Sequence, residues 1–203
     1  MREQRQKIIK MTELALLTAI VLILQLTGIA VRLPFLATPV SLVLIPIALG
    51  AMVLGPKAGA WLGFVFGAEV AIVCGVMQLD PFTAILFNDH PVLTVLLCVV
   101  KGTLAGLVSG IVYKVLAKTN QLLASFVASA VAPVVNTGIF ILGSFTMMDT
   151  FKSNFLGEGV SMVYFLVIGC AGLNFIFEFI INVAFAPALS RLTNLLNKRL
   201  GKE

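Results

Sequence analysis

Residues 119–148 carry no charged side chain, and neither do residues 14–31 or 33–56. Runs of this length approach or exceed the roughly 20 apolar residues that cross about 30 Å of hydrocarbon. In that medium every backbone N–H and C=O needs an internal partner, so only helices and closed barrels span it. Barrel strands alternate apolar and polar residues over about ten positions, whereas these runs do not alternate. Of the 203 residues, 60% are hydrophobic and 11% charged, with a mean hydropathy of +1.08. One small core has too little volume to hide that much apolar surface from water. The pattern predicts an all-α integral membrane protein and excludes a soluble enzyme, a disulfide scaffold and a disordered chain.

Six transmembrane helices are predicted, at about 10–31, 41–54, 58–76, 92–116, 123–146 and 160–196. The first run reads as a retained span, since Arg32 and Pro34 follow it and not a small-residue cleavage site. The second is short and reads as a minimal or re-entrant span. The last continues into an amphipathic tail at about 190–203, and the whole of 1–203 reads as a single transmembrane domain. Charge sets the orientation. Arg2, Arg5, Lys7, Lys10, Lys57, Lys114, Lys118, Arg191, Lys198, Arg199 and Lys202 fall on one side of a six-span chain. Only Arg32 and Lys152 fall on the other, beside Asp80, Asp89, Asp149 and Glu158. The positive-inside rule then predicts cytoplasmic N- and C-termini in a multi-pass protein of the cell membrane. The net charge of +5 is a topology signal; no aromatic-interleaved basic patch points to nucleic acid.

The outer connections are long. Residues 32–40 hold two prolines and a mixed apolar content, 77–91 contain Asp80-Pro81-Phe82 and Asn88-Asp89-His90-Pro91, and 147–159 contain Met147, Met148 and Phe151. Complexity concentrated on one face points to capture of an external ligand there.

Ionisable residues inside spans are costly and mark functional candidates. There are three: Glu69 in the third span, Lys101 in the outer half of the fourth and Glu178 near the middle of the sixth. Two readings stand side by side. Lys101 pairs with Glu69 or Glu178 to hold helices in register, or its ammonium meets an anionic substrate group. Asn174, Glu178 and Asn182 recur every four residues and share one helix face. Asn136 and Thr137 follow Pro133 in the fifth span. An asparagine both donates and accepts, which suits the amides and hydroxyls of a ligand. The candidate binding set is Lys101, Asn136, Thr137, Asn174, Glu69 and Glu178.

No catalytic constellation is visible. The single histidine, His90, has no cysteine or histidine neighbour with metal-ligand spacing, and Cys74, Cys98 and Cys170 read as small buried hydrophobes. There is no G-x-x-x-x-G-K-[ST], so any ATP is supplied through another subunit. Glycine ladders (Gly59, Gly63, Gly67 and Gly102, Gly106, Gly110) read as seams inside the bundle, and Ala15-Leu16-Leu17-Thr18-Ala19 as a small-residue surface for close approach of a helix.

With these features the chain resembles the substrate-binding S components of energy-coupling factor (ECF) vitamin transporters. The resemblance rests on the six-span layout, Ala15 and Ala19, the run from Val40 to Ala60, and Lys101-Gly-Thr-Leu-Ala-Gly-Leu-Val-Ser-Gly. It covers essentially the whole chain and is nearest to the pantothenate-specific members, with folate and other vitamins as alternatives. It implies a non-enzymatic subunit, with no cofactor of its own, that binds a vitamin near the outer face. It also implies a lid at 32–40 (Arg32, Phe35, Thr38) and docking through Ala15 and Ala19 on a transmembrane coupling subunit driven by two ATPases that hold ATP and Mg. A small ion-coupled carrier, with Glu69 or Glu178 as its ion site, is the reading from a different class.

Overall fold

In the computed structural model, residues 2–30, 42–156, 160–170 and 172–199 are described, and every regular element among them is helical. The expected lid, with Arg32, Phe35 and Thr38, lies outside the described residues. The chain runs through α1 (Arg2–Ala30), α2 (Leu44–Val53) and α3 (Pro56–Glu69), which widens into a π-helical stretch, Val70–Val76. Then come α4 (Pro81–Asp89), α5 (Pro91–Leu116) and α6 (Gln121–Ser144), a 3-10 turn (Phe145–Met147) and α7 (Met148–Asn154). The short α8 (Met162–Tyr164) opens into a second π-helical stretch, Phe165–Cys170, ahead of α9 (Gly172–Arg199).

Five helices are long and apolar enough to cross a membrane: Gln4–Gly28, Pro56–Val76, Pro91–Leu116, Gln121–Asn154 and Asn174–Arg199. The expected second span contracts to the ten residues of α2. At 1.5 Å per residue that is about 15 Å, half the hydrocarbon thickness. Its C-terminal stop is local: Gly55 adopts φ 99°, a conformation open to glycine at little cost, and Pro56 occupies the first turn of α3.

The glycine ladders form the closest helix contact. A Cβ built on Gly63 would overlap the Gly102 carbonyl, and one on Gly59 would lie 2.5 Å from the Gly106 oxygen. The α3 and α5 backbones therefore touch, as small-residue seams allow. The Ser109 hydroxyl continues the seam by donating to the Ala128 carbonyl of α6 at 2.9 Å. Below it Ala48, Met52, Tyr113, Ala124, Ala128 and Leu189 join α2, α5, α6 and α9 in one buried cluster. The first half of α1, the C-terminal half of α9 and most of the basic residues lie at this same end, called here the basic end.

The opposite, far end departs from the sequence reading. The stretches expected as loops at 77–91 and 147–159 carry helices α4 and α7. Asp80 caps α4, its Oδ2 accepting from the Thr83 N–H at 2.9 Å and the Thr83 hydroxyl at 2.8 Å, and Pro81 sits in the first turn. The Thr94 hydroxyl donates to Leu86 O at 2.8 Å and ties α4 to α5. An aromatic cluster closes this end, with Phe82 5.1 Å from Phe155 and 6.1 Å from both Phe140 and Phe151 between ring centroids.

Candidate functional site

The site starts from an inversion of the soluble pattern. On α9 the buried positions are Asn174, Glu178, Asn182, Ala186, Leu189, Ser190 and Thr193, while Ile176, Ile180, Phe185, Leu192 and Leu195 are exposed. Lipid solvates the apolar face, so the polar stripe turns inward. Asn174, Glu178 and Asn182 fall in the far half of the helix, and Ser190 and Thr193 in its basic half.

Three contacts set the relative depths. Lys101 of α5 lies with its ammonium 5.4 Å from the ring centroid of Phe140 on α6, and the Leu97 side chain meets Gly143. These contacts and the Ser109–Ala128 bond place Lys101 beside the Asn136–Phe140 turn. Leu189 shares its cluster with Ala124 and Ala128, and counting outward along both helices puts Asn136 level with the Glu178–Asn182 turn. Leu17 and Leu62 both reach toward Gly50, so Gln25 of α1 and Glu69 of α3 lie within about 2 Å of the same height at 1.5 Å per residue.

Glu69, Asn136, Asn174 and Glu178 are all buried, with Asn182 fully so, and Lys101 is half-buried on the same inward stripe of α5. Thr137, one position on from Asn136, is half-buried. Among the described residues, Lys101 makes no ion pair with Glu69 or Glu178, so the expected register-holding pair is not formed. Its interior neighbour is the Phe140 ring. Glu69 Oε2, Asn136 Oδ1 and Asn182 Oδ1 are buried without a hydrogen-bond partner among the described residues. Asn182 does donate to the Glu178 carbonyl at 2.8 Å, and Asn174 and Glu178 both have partners. Each buried acceptor left without a donor costs about 1–3 kcal/mol. Among the described residues this depth gathers unpartnered acceptors and one cation, groups that hydrogen-bond donors and a negative charge would complement.

The far half also has a floor. Ile47 of α2 meets Gly106 and Ala51 meets Gly110. Helix α2 therefore starts near the depth of Thr103, just beneath Lys101.

Two neighbours of the site escape the sequence reading. Gln25 is buried on α1, and a lone amide in an apolar run was its signal. Phe140 follows Asn136 by one turn on the same face, but an aromatic residue in a span reads as ordinary packing. Ala15 and Ala19 lie elsewhere, on the exposed face of α1 with Leu16, Ile20 and Ile23, while Leu17 and Val21 pack inward. Among the described residues no group of three or more histidine, cysteine, aspartate or glutamate side chains is placed to hold a metal.

Long apolar helices, with buried carboxylates and amides toward one end, define a multi-pass membrane protein. The sequence model of the family described as the substrate-specific component of ECF transporters matches residues 9–190. The chain belongs to that family: it is a transporter component that takes a small-molecule substrate and works with an ECF module, and the family is not one of enzymes. A comparison with curated proteins finds no match.

Proposed function

We propose that this chain is the vitamin-binding component of an ECF importer and that its substrate is pantothenate. The observation that carries the reading is Lys101, a half-buried lysine whose ammonium lies over the Phe140 ring, with no ion pair among the described residues, at the depth of Asn136 and Glu178. Pantothenate has one carboxylate for that ammonium, and an amide and two hydroxyls for Asn136, Thr137, Asn174, Glu69 and Glu178. The single cation among the described residues of the site favours a monoanion over folate, which carries two carboxylates. The start of α2 beneath Lys101 adds the positive end of a helix dipole, the device by which broken helices meet anionic substrates.

In this reading the far end faces outside, both termini are cytoplasmic, and residues 32–40 close over the ligand. The exposed Ala15 and Ala19 dock on a transmembrane coupling subunit powered by two ATPases, which hold the ATP and Mg.

Mass spectrometry of the small molecule that co-purifies with the detergent-solubilised protein tests the substrate, and a vitamin other than pantothenate replaces the assignment. Calorimetry tests the site. Lys101→Ala should weaken pantothenate binding by about 10- to 100-fold, the range of a lost hydrogen bond to a charged group. Lys57→Ala, on the exposed basic end, should leave it unchanged, and equal affinities would refute the site. Ala15→Trp with Ala19→Trp should spare binding and abolish uptake by the reconstituted complex; persistent uptake removes those alanines from the docking surface.

A further inference from the structure

Lys101 raises a physical problem. A lysine on α5 leans toward the helix N-terminus, here the far end, and a lysine inside a membrane bundle tends to snorkel to the nearest water. Lys101 is half-buried, and no ion pair among the described residues fixes where its ammonium lies. The neighbour in place is Phe140, whose ring centroid lies 5.4 Å from Nζ, within the roughly 6 Å over which a ring face attracts a cation. The ring is itself fixed. It packs against Phe82 at 6.1 Å, and Phe82 packs against Phe151, which is fully buried, and Phe155. Phe140 thus joins the substrate cation to the aromatic cluster that closes the far end.

We propose that Phe140 is a positioning residue that presets the Lys101 ammonium for the anionic group of the substrate. The proposal rests on the site reading above, and it adds a source for the preference for anions. The ring face holds one side of the ammonium while its three N–H donors stay available to a carboxylate. A group held in place before the ligand arrives binds without an ordering cost. With the ring removed, Lys101 relaxes toward the far-end interface, and binding of the anion suffers while the rest of the ligand keeps its contacts.

The test uses the full chain in detergent with two probes, pantothenate and its alcohol analogue, in which CH2OH replaces the carboxylate. Phe140→Leu should weaken pantothenate about tenfold while changing affinity for the alcohol by about twofold or less, and Phe140→Trp should restore the pantothenate affinity. Equal losses for both probes would make Phe140 an ordinary wall and overturn the proposal, as would no loss for either. A ligand-free readout separates this from the choice of vitamin. In protein labelled with 13Cε-lysine, the Lys101 resonance, assigned by Lys101→Arg, should show a ring-current shift that Phe140→Leu removes. A resonance that Phe140→Leu leaves in place overturns the proposal, whatever the vitamin. A ring shift as expected with no pantothenate binding by the wild type instead fails the pantothenate reading alone.

Discussion

The α3–α5 seam and the polar interior beside it are built on different physics. Along the seam backbones touch through both halves of the bundle: Gly59 against Gly106, Gly63 against Gly102 and Gly67 against the Cys98 carbonyl. Beside it, in the far half, stand buried or half-buried polar side chains, among them Lys101, Asn136 and Glu69, under a cluster of phenylalanines. Lipid gives no hydrophobic drive for helix association, so close contact between small residues has to supply it. The glycine seam anchors the bundle, and the interior beside it then tolerates buried polar atoms with no partner among the described residues: Asn136 Oδ1 and Glu69 Oε2 in the far half, and Ser129 Oγ at the level of Ser109. In the proposed reading, stability resides in the seam and specificity in the polar groups of the far half.

That division fails if substitutions in the seam and in the polar interior behave alike. The largest effect is expected at the seam. Gly63→Leu drives a side chain into the Gly102 carbonyl, and the chain should not yield a monodisperse folded species in detergent; a normal melting curve and elution volume would break the contrast. A smaller and opposite effect is expected at Asn136. Replacing a buried acceptor that lacks a partner by a shape-similar apolar group is neutral or stabilising. Asn136→Leu should therefore keep or raise the Tm of the ligand-free protein while weakening substrate binding about tenfold, the worth of about one hydrogen bond. A lower Tm would show that the far half depends on its polar groups for structure. The smallest effect is expected at Gly138, one residue beyond Thr137. A Cβ there meets nothing within 4 Å, so Gly138→Ala should stabilise α6 by up to about 1 kcal/mol through helix propensity alone. Destabilisation there would mean that α6 needs glycine at this position for close packing.

Much of this was legible beforehand, and the reason differs by residue. Gly59, Gly63, Gly102 and Gly106 repeat at four-residue spacing, which fixes them on one helix face. Asn174, Glu178 and Asn182 are legible by the same spacing. A polar face in an apolar helix has only one favourable place to go, inward. Helix α4 was legible in principle, since Asp80-Pro81 carries both a cap and a first-turn proline, but its length and its place between spans made it read as loop. Helix α7 has no side-chain cap hydrogen bond, and packing of Phe151 and Phe155 in the far-end cluster stands behind it. The extent of α2 was not legible, because apolar composition from 33 to 56 says nothing about where a helix begins within the run. The relation of Lys101 to Phe140 was equally hidden, since it joins two helices whose register depends on the packed seam.

By itself, then, the sequence determined the solvent, the helical class and which face of α3, α5 and α9 turns inward, because these follow from the energy of placing single residues in hydrocarbon. Only the tertiary structure decided that the second apolar segment is half a span, that Lys101 faces a ring and, among the described residues, no carboxylate, and that Gln25 joins Glu69 in height. Those outcomes depend on contacts between residues far apart in the chain, and no local energy term specifies which surfaces will meet.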